Sequence, residues 1–171
     1  MLNRRRLIRL VLGGATLLAV ATLHSRPAMA EAGFQRFVPL LIDLSGWSGD
    51  KAEGMAMQMN GADMAAATRH YERGEARIEA QIVTGAAAQG ALAASGSVMK
   101  IETSEGRMSS GLLDGFQTTR TYSYGDKSGA VIVALRDNAV FTLSFNGVED
   151  DEALALAKKF DWKAMQATVG K

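Results

Sequence analysis

Ala130-Val131-Ile132-Val133-Ala134-Leu135, then Arg136-Asp137-Asn138-Ala139, then Val140-Phe141-Thr142-Leu143-Ser144-Phe145 is the stretch that decides the fold. Two apolar runs rich in β-branched and aromatic residues flank a short polar connection, which predicts a β-hairpin. Alternate residues of a strand share a face, so Phe141, Leu143 and Phe145 point together and are expected to line a core.

Working outward, strand signals recur at residues 97–103 and 116–124. Residues 51–83 also read as strands: Met55, Met57 and Met59 alternate, Ile78, Ile82 and Val83 follow, and Gly61 and Gly74 punctuate the runs. Residues 85–96 are almost all alanine and glycine, which predicts a short close-packed helix or a tight crossover. Upstream, Phe34, Phe37, Val38, Leu41 and Ile42 have helical spacing that Pro39 interrupts, so a short helix or two broken turns is expected. A loop over residues 45–49 carries Trp47 as a plug for one end of the core.

Downstream, Glu149-Asp150-Asp151-Glu152 precedes an alanine- and leucine-rich run ending in Lys158 and Lys159. Acids at the start and bases at the end complement a helix dipole, so a helix is predicted, with Asp161 capping a further turn that carries Trp162 and Met165. The four acids lack the spacing and glycine turn of a calcium loop and read as a helix start with a solvated face. Together these elements predict an α+β fold: a single domain over residues 31–171, with an antiparallel sheet of about six or seven strands and helices packed on one side.

Residues 1–30 have the parts of a cleavable leader: a basic start, an apolar core over residues 10–23, and Ala28-Met29-Ala30 as small residues before a cut after Ala30. The apolar core is shorter than the roughly 20 residues a spanning helix needs, and Gly13, Gly14, Thr16 and Thr22 dilute it. Asn3, Arg4, Arg5, Arg6, Leu7, Ile8 and Arg9 match in order the pattern of a polar residue, two arginines, any residue, two apolar residues and a base. The segment therefore resembles a twin-arginine signal peptide, although Asn3 stands where Ser or Thr is commoner. The resemblance implies Arg4 and Arg5 as the recognised pair, the export machinery as a partner, and a domain that crosses the membrane folded. A general secretory leader and an uncleaved anchor are the alternatives. The expected location is the periplasm, with no membrane anchor after cleavage.

The leader holds five of the 19 basic residues and none of the 18 acidic ones, which leaves 14 bases against 18 acids in the rest. That balance argues against a nucleic-acid partner, which requires a basic surface to displace counterions. The absence of cysteine rules out disulfides, thiolate nucleophiles and cysteine-ligated metals or clusters. About 141 residues suffice for one self-supporting core.

An internal echo suggests a first site. Thr68-Arg69-His70-Tyr71-Glu72-Arg73-Gly74-Glu75 and Thr119-Arg120-Thr121-Tyr122-Ser123-Tyr124-Gly125-Asp126 repeat Thr, Arg, Tyr, Gly and an acid in register. A true repeat would mean a duplicated hairpin. On strands Arg69 with Tyr71, and Arg120 with Tyr122, share a face and form a candidate grip for a small anionic or amphipathic ligand. The competing reading is an outer sheet surface on which Arg stacks over Tyr.

Met55, Met57 and Met59, with Met64 and His70 nearby, form a second candidate, a Cu(I) site of soft thioethers completed by an imidazole. The competing reading is a half-buried strand in which methionine fills space. A hydrolase would have to use His70 with Glu72 or Glu75, or a carboxylate pair, because no nucleophile elbow, phosphate loop or dinucleotide fingerprint is present. The residues thus point to an exported periplasmic binding or accessory protein without catalysis and without a cofactor, its partner a small ligand or another envelope protein. Cu(I) handling and an unrecognised hydrolase are the alternatives.

Overall fold

A computed structural model describes residues 32–59, 61–93 and 98–170. The leader, with Arg4, Arg5 and the expected cut after Ala30, lies outside them, as does the end of the alanine–glycine stretch. Short helical pieces open the described chain: α1 (Ala32–Gln35) and a 3-10 turn (Val38–Leu40); the break falls at residues 36–37, and Pro39 sits in the first turn of the second piece, where its missing N–H is tolerated. The strands are β1 (Ser48–Gly49), β2 (Glu53–Met59), β3 (Ala62–Arg73), β4 (Ala76–Thr84), β5 (Met99–Glu102), β6 (Gly106–Leu113), β7 (Phe116–Ser123), β8 (Ser128–Arg136) and β9 (Ala139–Asn146). Between β4 and β5 lies α2 (Ala86–Ala93), and α3 (Asp150–Ala157) and α4 (Trp162–Val169) close the chain.

All nine strands of the described residues belong to one sheet, ordered β1-β3-β4-β9-β8-β7-β6-β5, with β2 also paired to β3. Every pairing is antiparallel. The sheet consists of two meanders, one ending at β4 and one running from β5 to β9, joined where β4 pairs β9.

This architecture overturns the expected α+β layering of six or seven strands backed by helices on one side. Among the described residues strand dominates, and the helices are few and at most eight residues long. Strand β6, Gly-Arg-Met-Ser-Ser-Gly-Leu-Leu, has no apolar alternation because its side chains are mostly half-exposed on both faces. The helices also do not share a side. Val140 alternates with the core residues Ala139 and Phe141, so it faces away from the core, yet it is only 2% exposed. It and the buried Ala88 of α2 both stand outside the main core cluster, and α2 contacts β9, β4 and β3.

The main core follows the predicted alternation. Register aligns Ile82, Phe141 and Val133 in one row and Ala80, Leu143 and Val131 in the next, all fully buried. They meet Phe37, Leu41 and Leu44 from the N-terminal segment and Phe160 and Met165 from the C-terminal one. The Phe160 ring lies 5.0 Å from Phe141 and 6.5 Å from Tyr71, and Phe116 meets Trp162 edge-on at 5.8 Å. Burial of each large apolar side chain contributes roughly 1.5–3 kcal/mol. The Asp161 carboxylate accepts from the Ala164 N–H at 2.9 Å and caps α4 as its sequence suggested.

The echo is not a duplicated hairpin. Strands β3 and β7 run in the same direction with their arginines on the same face, but β4 and β8 both lie toward β9, on opposite sides of their partners. The two hairpins are therefore mirror images in the sheet, which a repeated L-chain unit cannot be. Their turns differ too: Gly74, at φ +60, closes a two-residue turn, whereas the β7–β8 connection spans residues 124–127 and places Lys127 at φ +50. Among the described residues no helix is long and apolar enough to cross a membrane.

Candidate functional site

The two arginine–tyrosine pairs project from the core face, and each finds its partners within the chain. Arg69 Nε and a terminal nitrogen donate to the carbonyls of Asp50 and Leu41, both at 2.8 Å, and the other terminal nitrogen pairs with Asp43. The Tyr71 hydroxyl donates to the Ile42 carbonyl at 2.7 Å, and burial pushes its pKa up to about 12. This pair holds residues 41–43 and 50 against β3.

Arg120 forms an ion pair with Asp150 Oδ2 at 2.8 Å, the Tyr122 hydroxyl donates to Glu149 at 2.9 Å, and Arg107 from β6 donates through Nε to the same Asp150 oxygen at 2.7 Å. Asp150 is almost wholly buried, at 4% exposure, and opens α3. Its Oδ1 and the Arg120 Nε are buried with no partner among the described residues, a cost offset by the charge-assisted bonds converging on Oδ2. Lys127 sits 2.6 Å from Glu149, and this lysine with the Tyr122 hydroxyl lowers the Glu149 pKa. The second pair thus holds the start of α3 against β6 and β7. Arg73 links the two regions: it stacks 4.2 Å over Trp47 and pairs with Glu152 at 2.7 Å.

The structure brings Arg69 over Tyr71, at 5.3 Å, whereas the arginine over the Tyr122 ring is Arg107, at 5.7 Å; Arg69 and Arg120 stand four strand spacings apart, roughly 19 Å. Both guanidinium groups face carboxylates of the chain itself. Arg107, Asp150 and Glu149 complete the second cluster; in the sequence only the acids carry a signal, that of a helix start.

The opposite face of the sheet is built differently. One row runs across seven strands in register: His70, Glu79, Ser144, Ala130, Thr121, Met108 and Ile101. None of these side chains is buried, and six strand spacings make the row roughly 29 Å long. Its β3–β4 end is polar, with His70 3.6 Å from Glu79 and Arg77 3.4 Å from Glu72 one row along. At the β5–β6 end it is apolar, with Met108 beside Ile101. The middle residues, Ser144, Ala130 and Thr121, are small and form a floor between taller ends. A groove of about 420 Å³ lies against His70, Glu79 and Ser144, and one of about 500 Å³ lies against Thr121, Met108 and Ile101.

The same row bears on acid–base chemistry. Glu79 stands between Ser144 and His70, so the imidazole that would have to activate the hydroxyl is one strand too far away. Neither Glu72 nor Glu75, the sequence-level partners, is paired with His70; Glu79 is.

The methionines divide from the histidine. Met55 and Met57 are 57% and 39% exposed on the same outer face, and Met57 lies directly opposite Met64. The Met59 side chain lies outside the described residues. His70 is six residues along β3 from Met64, roughly 20 Å away, and faces Glu79. Among the described residues no group of three or more His, Cys, Asp or Glu side chains is arranged to hold a metal. Comparisons of the chain with known protein families, curated proteins and solved structures return no match.

Proposed function

We infer that the chain is an exported, non-catalytic binding or accessory protein of the periplasm, and that it seats an elongated amphipathic ligand across the outer face of its sheet. The observation that carries this reading is the graded row from His70 to Ile101: charged at one end, small in the middle, apolar at the other. A polar headgroup is matched by the His70 imidazole and the opposite charges of Glu79 and Arg77, and an apolar chain by Met108 and Ile101. Ligand sites of this kind are mostly apolar with a few placed polar groups that fix orientation.

The core-face arginines favour an amphiphile over a small anion. An incoming anion would have to displace Asp43 or Asp150 from guanidinium groups that also hold the cover in place. Export rests on the leader's resemblance to a twin-arginine signal, and an envelope protein whose surface carries a similar apolar strip would suit the same row.

A single-chain zwitterionic amphiphile, lysophosphatidylcholine below its micelle concentration, tests the reading. It should bind the folded protein at one per chain, and Ala130→Phe, which fills the floor, should weaken binding at least tenfold without unfolding. Equal binding by the filled variant contradicts the reading.

A further inference from the structure

Strands β2 and β3 form a hairpin at one edge of the sheet, and their register makes a small rectangle on the outer face. Met57 opposes Met64, Met55 opposes Ala66, and the two pairs are one pleat apart. Opposed side chains in an antiparallel pair have Cβ atoms about 4.5–5.5 Å apart, and diagonal ones about 7–8 Å. A methionine sulfur sits two bonds beyond its Cβ on a freely rotating stem, so thioethers from three corners can meet above the rectangle. The fourth corner is Ala66, whose methyl leaves the space open. Beside Met64, Gly85 has no side chain, and a Cβ built there would collide with the Met64 stem.

Met55 and Met57 are not occupied by packing, while Met64 is half-buried with its stem beside Gly85. Met165, fully buried against the core, shows what a space-filling methionine looks like in this protein, whereas Met55 and Met57 are among its most exposed large apolar side chains. Gln58 and Asp63 bond each other at 2.9 Å and alternate to the other face. The four corners themselves carry three neutral sulfurs and a methyl; a carboxylate on the same face, that of Glu53, stands one pleat beyond Met55 and opposite Thr68. Neutral thioethers are soft donors that discriminate against Zn(II) and other ions that favour imidazole or oxygen, and they suit a monovalent soft ion. With no cysteine in the chain, thioether is the one soft ligand type it possesses.

We propose that Met55, Met57 and Met64 form a three-thioether site for Cu(I) at the β2–β3 edge of the outer face. The site goes beyond the amphiphile reading and is independent of it, since it shares no residue with the His70–Ile101 row. It also replaces the imidazole of the sequence-level set with a third sulfur, because His70 lies far along β3 and is paired with Glu79.

The test uses protein carrying ¹³C-methyl methionine, titrated with Ag(I) as an air-stable stand-in and then with Cu(I) under reductant. At one equivalent the methyl resonances of Met55, Met57 and Met64 should shift, while those of Met99, Met108 and Met165 stay in place. Met57→Leu and Met64→Leu preserve side-chain volume on an exposed hairpin, and each should weaken binding at least tenfold. The unmoved Met165 methyl reports that the fold is intact, and His70→Ala should bind as well as the parent. Methyl resonances of the three methionines that do not respond to excess metal would overturn the site. So would binding that survives the double Met57→Leu, Met64→Leu variant, or binding that His70→Ala abolishes.

Discussion

Arg69 on β3 and Arg120 on β7 lie on one row of the sheet, joined in register through Ala80, Leu143 and Val131, and both project from the core face. Each reaches a different covering segment: Arg69 holds the chain entering β1, and Arg120 holds the start of α3. The two residues that most resembled a ligand grip in the sequence are latches on either side of one core.

Arg69→Ala should destabilise the fold by about 3 kcal/mol, because it strips a charged donor from the carbonyls of Leu41 and Asp50. Asp43→Ala should cost less than about 1 kcal/mol, since the Asp43 side chain is 91% exposed and its ion pair is solvated. Chemical denaturation of both variants checks the contrast; equal losses would mean that the ion pair, not the carbonyl bonds, is what Arg69 provides.

The α3 latch predicts a similar asymmetry between neighbours. Asp150→Ala removes the buried carboxylate shared by Arg107 and Arg120 and should cost on the order of 2–3 kcal/mol. Asp151→Ala, on a side chain 92% exposed, should stay within about 0.5 kcal/mol of the parent. Thermal melts distinguish the two at once.

Tyr71 sets a limit at high pH. Its hydroxyl holds its proton up to about pH 12 in the folded chain, against an ordinary value of 10.0. Between those values the unfolded chain has released the proton and the folded chain has not, so stability falls as pH rises through this window. Tyr71→Phe should flatten that part of the stability curve and remove the latest step from the ultraviolet phenolate titration. A step that persists at the same pH would assign the latest ionisation to another tyrosine.

Much of the sheet was legible because burial imposes alternation. Residues 130–145 read as a hairpin since one face of each strand is buried, and Asp161 read as a cap since its carboxylate has an N–H to satisfy. Strand β6 was not, because Arg107 bonds Asp150 and Ser110 bonds Thr119 and Gln117 instead of apolar side chains entering a dry core. Its one local signal was Asp114-Gly115, both at positive φ in the two-residue turn to β7, a pair that favours a tight hairpin. The full outer row was beyond sequence reading. Hairpins align Ser144 with Ala130 and Ala130 with Thr121, but Glu79 becomes a neighbour of Ser144 only through the pairing of β4 with β9, whose residues lie far apart in the chain.

Export has a direct genetic test. Changing Arg4 and Arg5 together to Lys should leave the full-length precursor in the cytoplasm, whereas the parent should be recovered from the periplasm with the mass of a chain starting at Glu31. Undiminished export of the double variant would remove the twin-arginine route.

The most direct test of the proposed function is an isothermal titration of lysophosphatidylcholine monomers into the parent, Ala130→Phe and Met108→Lys. One site per chain, weakened at least tenfold by filling the floor and comparably by charging the apolar end, is the result expected of a ligand lying from His70 to Ile101. Absence of binding to the parent, or binding that both variants leave unchanged, would contradict that placement and remove the outer row as the working surface.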